Sequence, residues 1–262
     1  LAYLALGGGV GLLAGLLGIG GGGIMVPVLT SLFVIQGVAH EHIAHLALGT
    51  SLAAIVPSSL ASLLTHHRHL AVRWDVVRYI TPGILVGTFL ATFIAALMPT
   101  RGLAIFFACF MVLMSLQMLA NLRPKPSRVL PGPLGISTVG LGIGGISALV
   151  AIGGGAMTVP FLTWCNVKVQ HAIGTSAAVG MPIAVAGALG YLVNGWGASG
   201  LPAGALGYVY LPAFLLMAPL SILTAPLGAR LAHRLPVATL RRVFAVMLMI
   251  LAIHMLVTVF SA

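Results

Sequence analysis

The chain has 262 residues, of which 60% are hydrophobic and 5% charged, and its formal net charge is +10. A soluble domain carries roughly 25% charged residues, so this composition excludes an ordinary water-soluble fold. Lipid is the fitting solvent, since several apolar stretches reach the ~20 residues a spanning helix needs. The 12 Lys and Arg face only two acids, Glu41 and Asp75. This excess reads as membrane topology, because cytoplasmic loops collect basic residues. No nucleic-acid partner is expected.

In chain order, segment 1 spans about Ala2 to Leu17 and breaks at Gly18-Ile19-Gly20-Gly21-Gly22-Gly23; a shorter apolar piece, Ile24 to Ile35, follows. Segment 2 covers about Ala44 to Leu64, segment 3 Val76 to Leu97 and segment 4 Leu103 to Leu122. A polar linker, Arg123 to Pro133, carries Pro124, Pro126 and Pro131. Segment 5 runs from Leu134 to Val150, breaks at Gly153-Gly154-Gly155 and continues from Met157 to Trp164. Segment 6 spans His171 to Val193, a charge-free loop covers Asn194 to Gly204, and segments 7 and 8 span Ala205 to Leu231 and Val237 to Phe260. Segment 1 is not read as a cleaved signal peptide, because its sequence recurs in mid-chain.

That recurrence organises the chain. Ile19-Gly20-Gly21-Gly22-Gly23-Ile24-Met25-Val26-Pro27 matches Ile152-Gly153-Gly154-Gly155-Ala156-Met157-Thr158-Val159-Pro160. Gly49-Thr50-Ser51 matches Gly174-Thr175-Ser176, and Pro99, Phe107-Ala108 and Met118-Leu119 match Pro236, Phe244-Ala245 and Met255-Leu256. Three ordered blocks divide the chain into membrane repeats 1–131, with the linker from about 123, and 132–262.

Charge then orients the halves. If all eight segments were simple crossings, Lys and Arg would divide six against six. If each glycine-broken segment is a hairpin that enters and leaves on one face, the halves are inverted and every basic residue except Arg101 lies on one side. The positive-inside tendency favours the second arrangement. The expected fold is an all-α polytopic membrane protein of two inverted repeats. Each repeat has a glycine-broken helical hairpin plus three transmembrane helices, and both termini are external. Broken helices at a repeat interface are the pattern of secondary transporters, and irregular backbone survives in a membrane only inside protein or along a cavity.

The glycine runs let the backbone turn and a ligand approach it closely. Helices restart after each run, and helix N-termini attract anions. The candidate substrate-binding residues are therefore Gly20, Gly21, Gly22, Gly23, Ile24 and Met25 in the first half, and Gly153, Gly154, Gly155, Ala156, Met157 and Thr158 in the second. Thr50, Ser51, Thr175 and Ser176 join them as neutral hydroxyl donors. Close helix packing and hydrogen bonds back to helix carbonyls are the competing explanations for these glycines and hydroxyls. No acid and no Lys or Arg lies inside an expected crossing, which argues against a cation pathway or carboxylate proton relay. Gly18-x-Gly20-x-x-Gly23 fits the dinucleotide fingerprint, but it lacks a βαβ context and its second copy, so it is set aside. The histidine clusters at 40–45 and 66–69 have no clean metal-ligand spacing. An intramembrane serine hydrolase using Ser51 or Ser176 lacks the third, orienting group of a triad. No catalytic residue, metal or cofactor is expected.

These motifs together resemble the sulfite exporter family known as TauE/SafE. The resemblance rests on Gly15 to Gly22 with Val26-Pro27 and Gly49-Thr50-Ser51, on their second copies, and on Gly228-Ala229-Arg230-Leu231-Ala232 through Leu235-Pro236 and Leu240-Arg241-Arg242. It implies a multi-pass protein of a bacterial or archaeal inner membrane that moves sulfite, sulfoacetate or a related organosulfonate. A related branch takes up thiosulfate through pathway cysteines. Cys109 and Cys165 are not a mirrored pair, so that mechanism is not carried over. The expected function is secondary export of a small sulfur-containing anion by alternating access. The alternatives are a passive anion channel and an uptake carrier for thiosulfate-like anions. A homodimer, the coupling ion, and roles for Cys109, Cys165, His171 and His254 in transport stay open.

Overall fold

The computed structural model describes residues 2–17, 21–120, 127–232 and 237–261. Gly18, Ile19, Gly20, Leu122, Arg123, Pro124, Pro126, Leu235 and Pro236, named above, lie outside them. The described helices are α1 (Ala2–Leu17), α2 (Gly22–Ile35), α3 (Ile43–Arg68), α4 (Trp74–Leu97), α5 (Thr100–Leu119), α6 (Pro133–Val150), α7 (Gly155–Trp164), α8 (Val169–Asn194), α9 (Leu211–Ala232) and α10 (Val237–Ser261). A short β-hairpin, β1 (Ala205–Leu206) and β2 (Val209–Tyr210), is the one extended element among the described residues. The protein is thus an all-α polytopic membrane protein.

The helix limits follow the apolar runs closely, with one exception. Segment 7 was expected to be helical from Ala205. Instead Gly207, at φ +53°, takes the first position of a two-residue turn that pairs Leu206 with Val209. Gly at that position suits a tight hairpin, and α9 begins only at Leu211.

Six described helices are long and apolar enough to cross a membrane: α3, α4, α5, α6, α8 and most of α10. The expected crossings are five of these, without α6, together with α9, which spans 22 residues. At 14 and 10 residues, α2 and α7 are too short. At 1.5 Å per residue, α7 reaches about half the ~30 Å hydrocarbon core.

Each short helix ends close to where its predecessor begins. The Trp164 carbonyl at the end of α7 accepts the N–H groups of Ser127 and Arg128, each at 3.2 Å, just ahead of α6. Trp164 Nε1 also donates to Ser127 Oγ at 2.9 Å. At the end of α2, Gln36 Nε2 donates to Tyr3 Oη near the start of α1, at 2.7 Å. The α1–α2 and α6–α7 pairs are therefore helical hairpins.

Helix pairing crosses between the sequence-matched halves. α1 packs along α9, with Gly7 against Met217 and Gly11 against Ser221. α6 packs along α4, with Gly140 against Ile80 and Gly144 against Ile84. The register that aligns Ile19 with Ile152 also aligns Gly7 and Gly11 with Gly140 and Gly144. Both pairs run parallel. At each of these glycines a Cβ would press into backbone of the facing helix, the kind of close approach that small residues allow between membrane helices.

The self-matched pairs run antiparallel. Gly49 of α3 meets Tyr191 of α8, while Gly187 of α8 meets Leu52 of α3. Ser115 Oγ of α5 donates to the Ala245 carbonyl of α10 at 2.7 Å, and Arg101 stacks over Phe260. Prolines interrupt the ladder at corresponding points: Pro27 and Pro160, Pro57 and Pro182, Pro82 and Pro219.

Candidate functional site

The second glycine break begins with a helix stop. Ala151 ends α6 in the left-handed region at φ 48° and ψ 35°. The Ser147 carbonyl accepts the Ile152 N–H at 3.3 Å. A non-glycine residue in this conformation carries strain, held here by burial. Gly154 then caps α7, its carbonyl accepting the Thr158 N–H at 2.8 Å. In the first half Gly21 caps α2, accepting from Ile24 at 3.1 Å and Met25 at 3.0 Å.

The two breaks touch. A side chain at Gly22 would overlap the Ala151 carbonyl oxygen and press on Ile55 of α3. Gly21 sits against Val10 of α1, and Gly23 against Leu248 of α10 and Met111 of α5. Gly154 lies against Val179 and Ile183 of α8. The starts of α2 and α7 are therefore buried inside the helix assembly, and the start of α2 meets the end of α6 from the opposite half.

The geometry narrows which amides can serve a ligand. The N–H groups of Ile24, Met25 and Thr158 are spent within their own helices. First-turn positions Gly22, Gly23, Gly155, Ala156 and Met157 have no intrahelical acceptor. The Thr158 hydroxyl is fully buried without a hydrogen-bond partner. Its repeat counterpart, Met25, is an equally buried apolar residue.

The Gly-Thr-Ser triplets divide by role. Thr50 Oγ1 accepts the Tyr210 N–H at 2.9 Å, and Thr175 Oγ1 accepts the Arg73 N–H at 3.0 Å. Tyr210 precedes α9 and Arg73 precedes α4, so each threonine satisfies an orphan donor beside a helix start. Ser51 Oγ is buried and unpartnered, and Ser176 is buried. The sequence did not single out Thr88, whose buried, unpartnered hydroxyl lies against Gly144. It also missed Tyr191, which is fully buried and donates to the Ala148 carbonyl at 3.2 Å. A lone Thr or Tyr in an apolar run gives no sign of its depth.

The remaining residues flagged in the sequence lie elsewhere. Cys109 is exposed on α5 and Cys165 is buried just past α7. Burial pushes the Cys165 thiol up from its ordinary pKa, which keeps it protonated rather than a reactive thiolate. His254 on α10 meets Ser31 of α2, and His171 is half-buried with Nδ1 unpartnered. Among the described residues no group of His, Cys, Asp and Glu is arranged to hold a metal ion.

Comparison with known proteins places this arrangement. Residues 3–255 match the family described as "Sulfite exporter TauE/SafE". A probable membrane transporter protein of Haemophilus influenzae is 37% identical, over 97% of each chain. The probable membrane transporter protein YdhB of Bacillus subtilis is 26% identical over 71% of this chain and 76% of its own. A counterpart from Methanocaldococcus jannaschii is 27% identical over 94% of this chain and 91% of its own. No solved structure matches the chain. The match spans both hairpins and nearly every helix, and the chain belongs to the sulfite exporter TauE/SafE family of membrane transporters.

Proposed function

We propose that the protein exports a small sulfur-containing anion, such as sulfite, sulfoacetate or a related organosulfonate, across a bacterial inner membrane. The reading rests above all on the contact between Gly22 and the Ala151 carbonyl, which joins the buried start of α2 to the break between α6 and α7 in the other half. First-turn amides of α2 and α7 supply donors and positive dipole ends. The unpartnered hydroxyls of Ser51 and Thr158 supply two more. Thr50 and Thr175 hold the surrounding frame. A site of neutral donors suits an anion, whereas Na⁺ or a proton relay would call for carboxylates.

The two halves, 1–131 and 132–262, act as inverted repeats that rock about the joined breaks and open the site to each side in turn. The antiparallel packing of α3 with α8 and of α5 with α10 supports that inversion, as does the charge pattern. A negative-inside potential favours anion exit by about 2.3 kcal/mol per charge per 100 mV.

Flux of sulfite and sulfoacetate in proteoliposomes, with and without an imposed potential, tests the reading. Saturable flux stimulated by counter-substrate is the expected result. Flux that rises linearly with concentration would make the protein a channel. No flux of either anion, together with no stabilisation of the protein by any anion tried, would end the anion reading.

A further inference from the structure

A second polar feature lies away from the breaks. A cleft of about 760 Å³ opens where α3 and α5 both begin, lined by His40, Glu41, His42, His45, Arg101 and Tyr208 among others. Ile55, which touches Gly22, is about 15 Å further along α3 than His45 by helical rise, so the cleft is separate from the joined breaks.

The polar groups of this cleft are under-used. His45 is 3% exposed and lines the cleft. Its Nε2 bonds to the Ala95 carbonyl at 2.9 Å, and its Nδ1 is buried without a partner. Both ring nitrogens of His40 are likewise buried and unpartnered. A buried polar atom left unpaired costs about 1–3 kcal/mol, and three such atoms beside one cleft point to a ligand. The start of α5 adds a positive dipole end, with Pro99 at its cap and no side-chain capping bond. Arg101, in the first turn of α5, adds a full positive charge.

The acid among the lining residues, Glu41, faces water. The Glu41 carboxylate is 75% exposed and sits 3.3 Å from His42 Nε2. His42 Nε2 also meets the Ser199 carbonyl at 2.9 Å. Tyr208 is pushed above the ordinary tyrosine pKa by burial and then by Glu41, so it stays neutral. The end of α4 contributes Ala96, Leu97 and Met98 to the cleft, none of them titratable.

We propose that this cleft is a binding site for a small oxyanion, held by Arg101, His40 and His45 at the start of α5. On the topology proposed above the cleft opens on the outer face, where it receives an anion leaving the central site. The choice of sulfite as probe rests on the transport reading.

Histidine ring NMR of the full chain in nanodiscs, titrated with sodium sulfite against sodium chloride at equal ionic strength, tests the site directly. The His40 and His45 resonances, assigned with H40Q and H45Q, are expected to shift saturably. R101Q, a change at an exposed position, should weaken binding about tenfold. Resonances unmoved at sulfite concentrations that saturate flux would overturn the site and leave the transport reading intact. Equal shifts with chloride, or an unchanged affinity in R101Q, would also overturn it. Shifts as expected with no flux in proteoliposomes would keep the site and remove the transport reading.

Discussion

Thr50 and Ser51 are neighbours in sequence with different duties. Thr50 holds the Tyr210 amide, and Thr175 holds the Arg73 amide at the matched position. Replacing either by Val leaves a part-buried N–H unpaired, so T50V and T175V should each destabilise the protein by about 1 kcal/mol. Thermal unfolding in detergent measures this, and T175S should restore most of the loss. Ser51 and Thr158 have no partner to lose. S51A and T158A are expected to leave unfolding almost unchanged and to raise the half-saturation concentration for anion flux several-fold. A large stability loss in S51A with normal flux would return Ser51 to a packing role. The sequence marked the triplets through their repetition, yet it could not say which hydroxyl was already bonded. That depends on where the chain returns some 160 residues later.

At the level of helices, hydropathy recovered the segments because lipid contact and chain breakers are written locally. The breaks at Gly21 and Gly154 were legible for the same reason. Partner choice was not. Gly7 and Gly11, like Gly140 and Gly144, are visible as small residues one turn apart, but nothing in α1 says that its face belongs to α9 and not to α2. The β-hairpin at Ala205–Tyr210 was hidden because its residues are as apolar as a helix start, and only Gly207 distinguishes the turn. The packed glycines make a sharp prediction. G11L and G144L would drive a side chain into Ser221 and Ile84 backbone respectively, costing about 1–3 kcal/mol or preventing assembly. G9L, where nothing lies within 4 Å, should be tolerated. Thermal unfolding of the three variants side by side separates a packing glycine from a lipid-facing one.

For the whole molecule, the hairpins set the sidedness. The ends of α1 and α2 gather near Tyr210, and Tyr208 lies beside His42 and His45. Among the described residues this face carries Arg101. The opposite face holds Arg68, Arg73, Arg128 and Lys168, with Ala71 packed on Gly174 and Trp164 on Ser127. With Cys109 replaced by Ser, single cysteines at Ser199 and at His69 should react with an impermeant maleimide from opposite sides, His69 from the cytoplasm. Labelling of both from one side would remove the inverted arrangement. Charge counting proposes the same division from sequence, because each basic residue reports the face of its own loop.

The exchange of first helices between halves also governs how the protein is made. α1 leaves the ribosome before the other described helices, yet its glycine face pairs with α9, made only after α8. α6 finds its partner α4 already in the membrane. For most of synthesis, then, the first hairpin waits with its packing surface turned to lipid. The second hairpin docks almost as soon as it inserts. Biogenesis is asymmetric where the finished pairing is matched, and completion of the first half is deferred until the second is nearly whole.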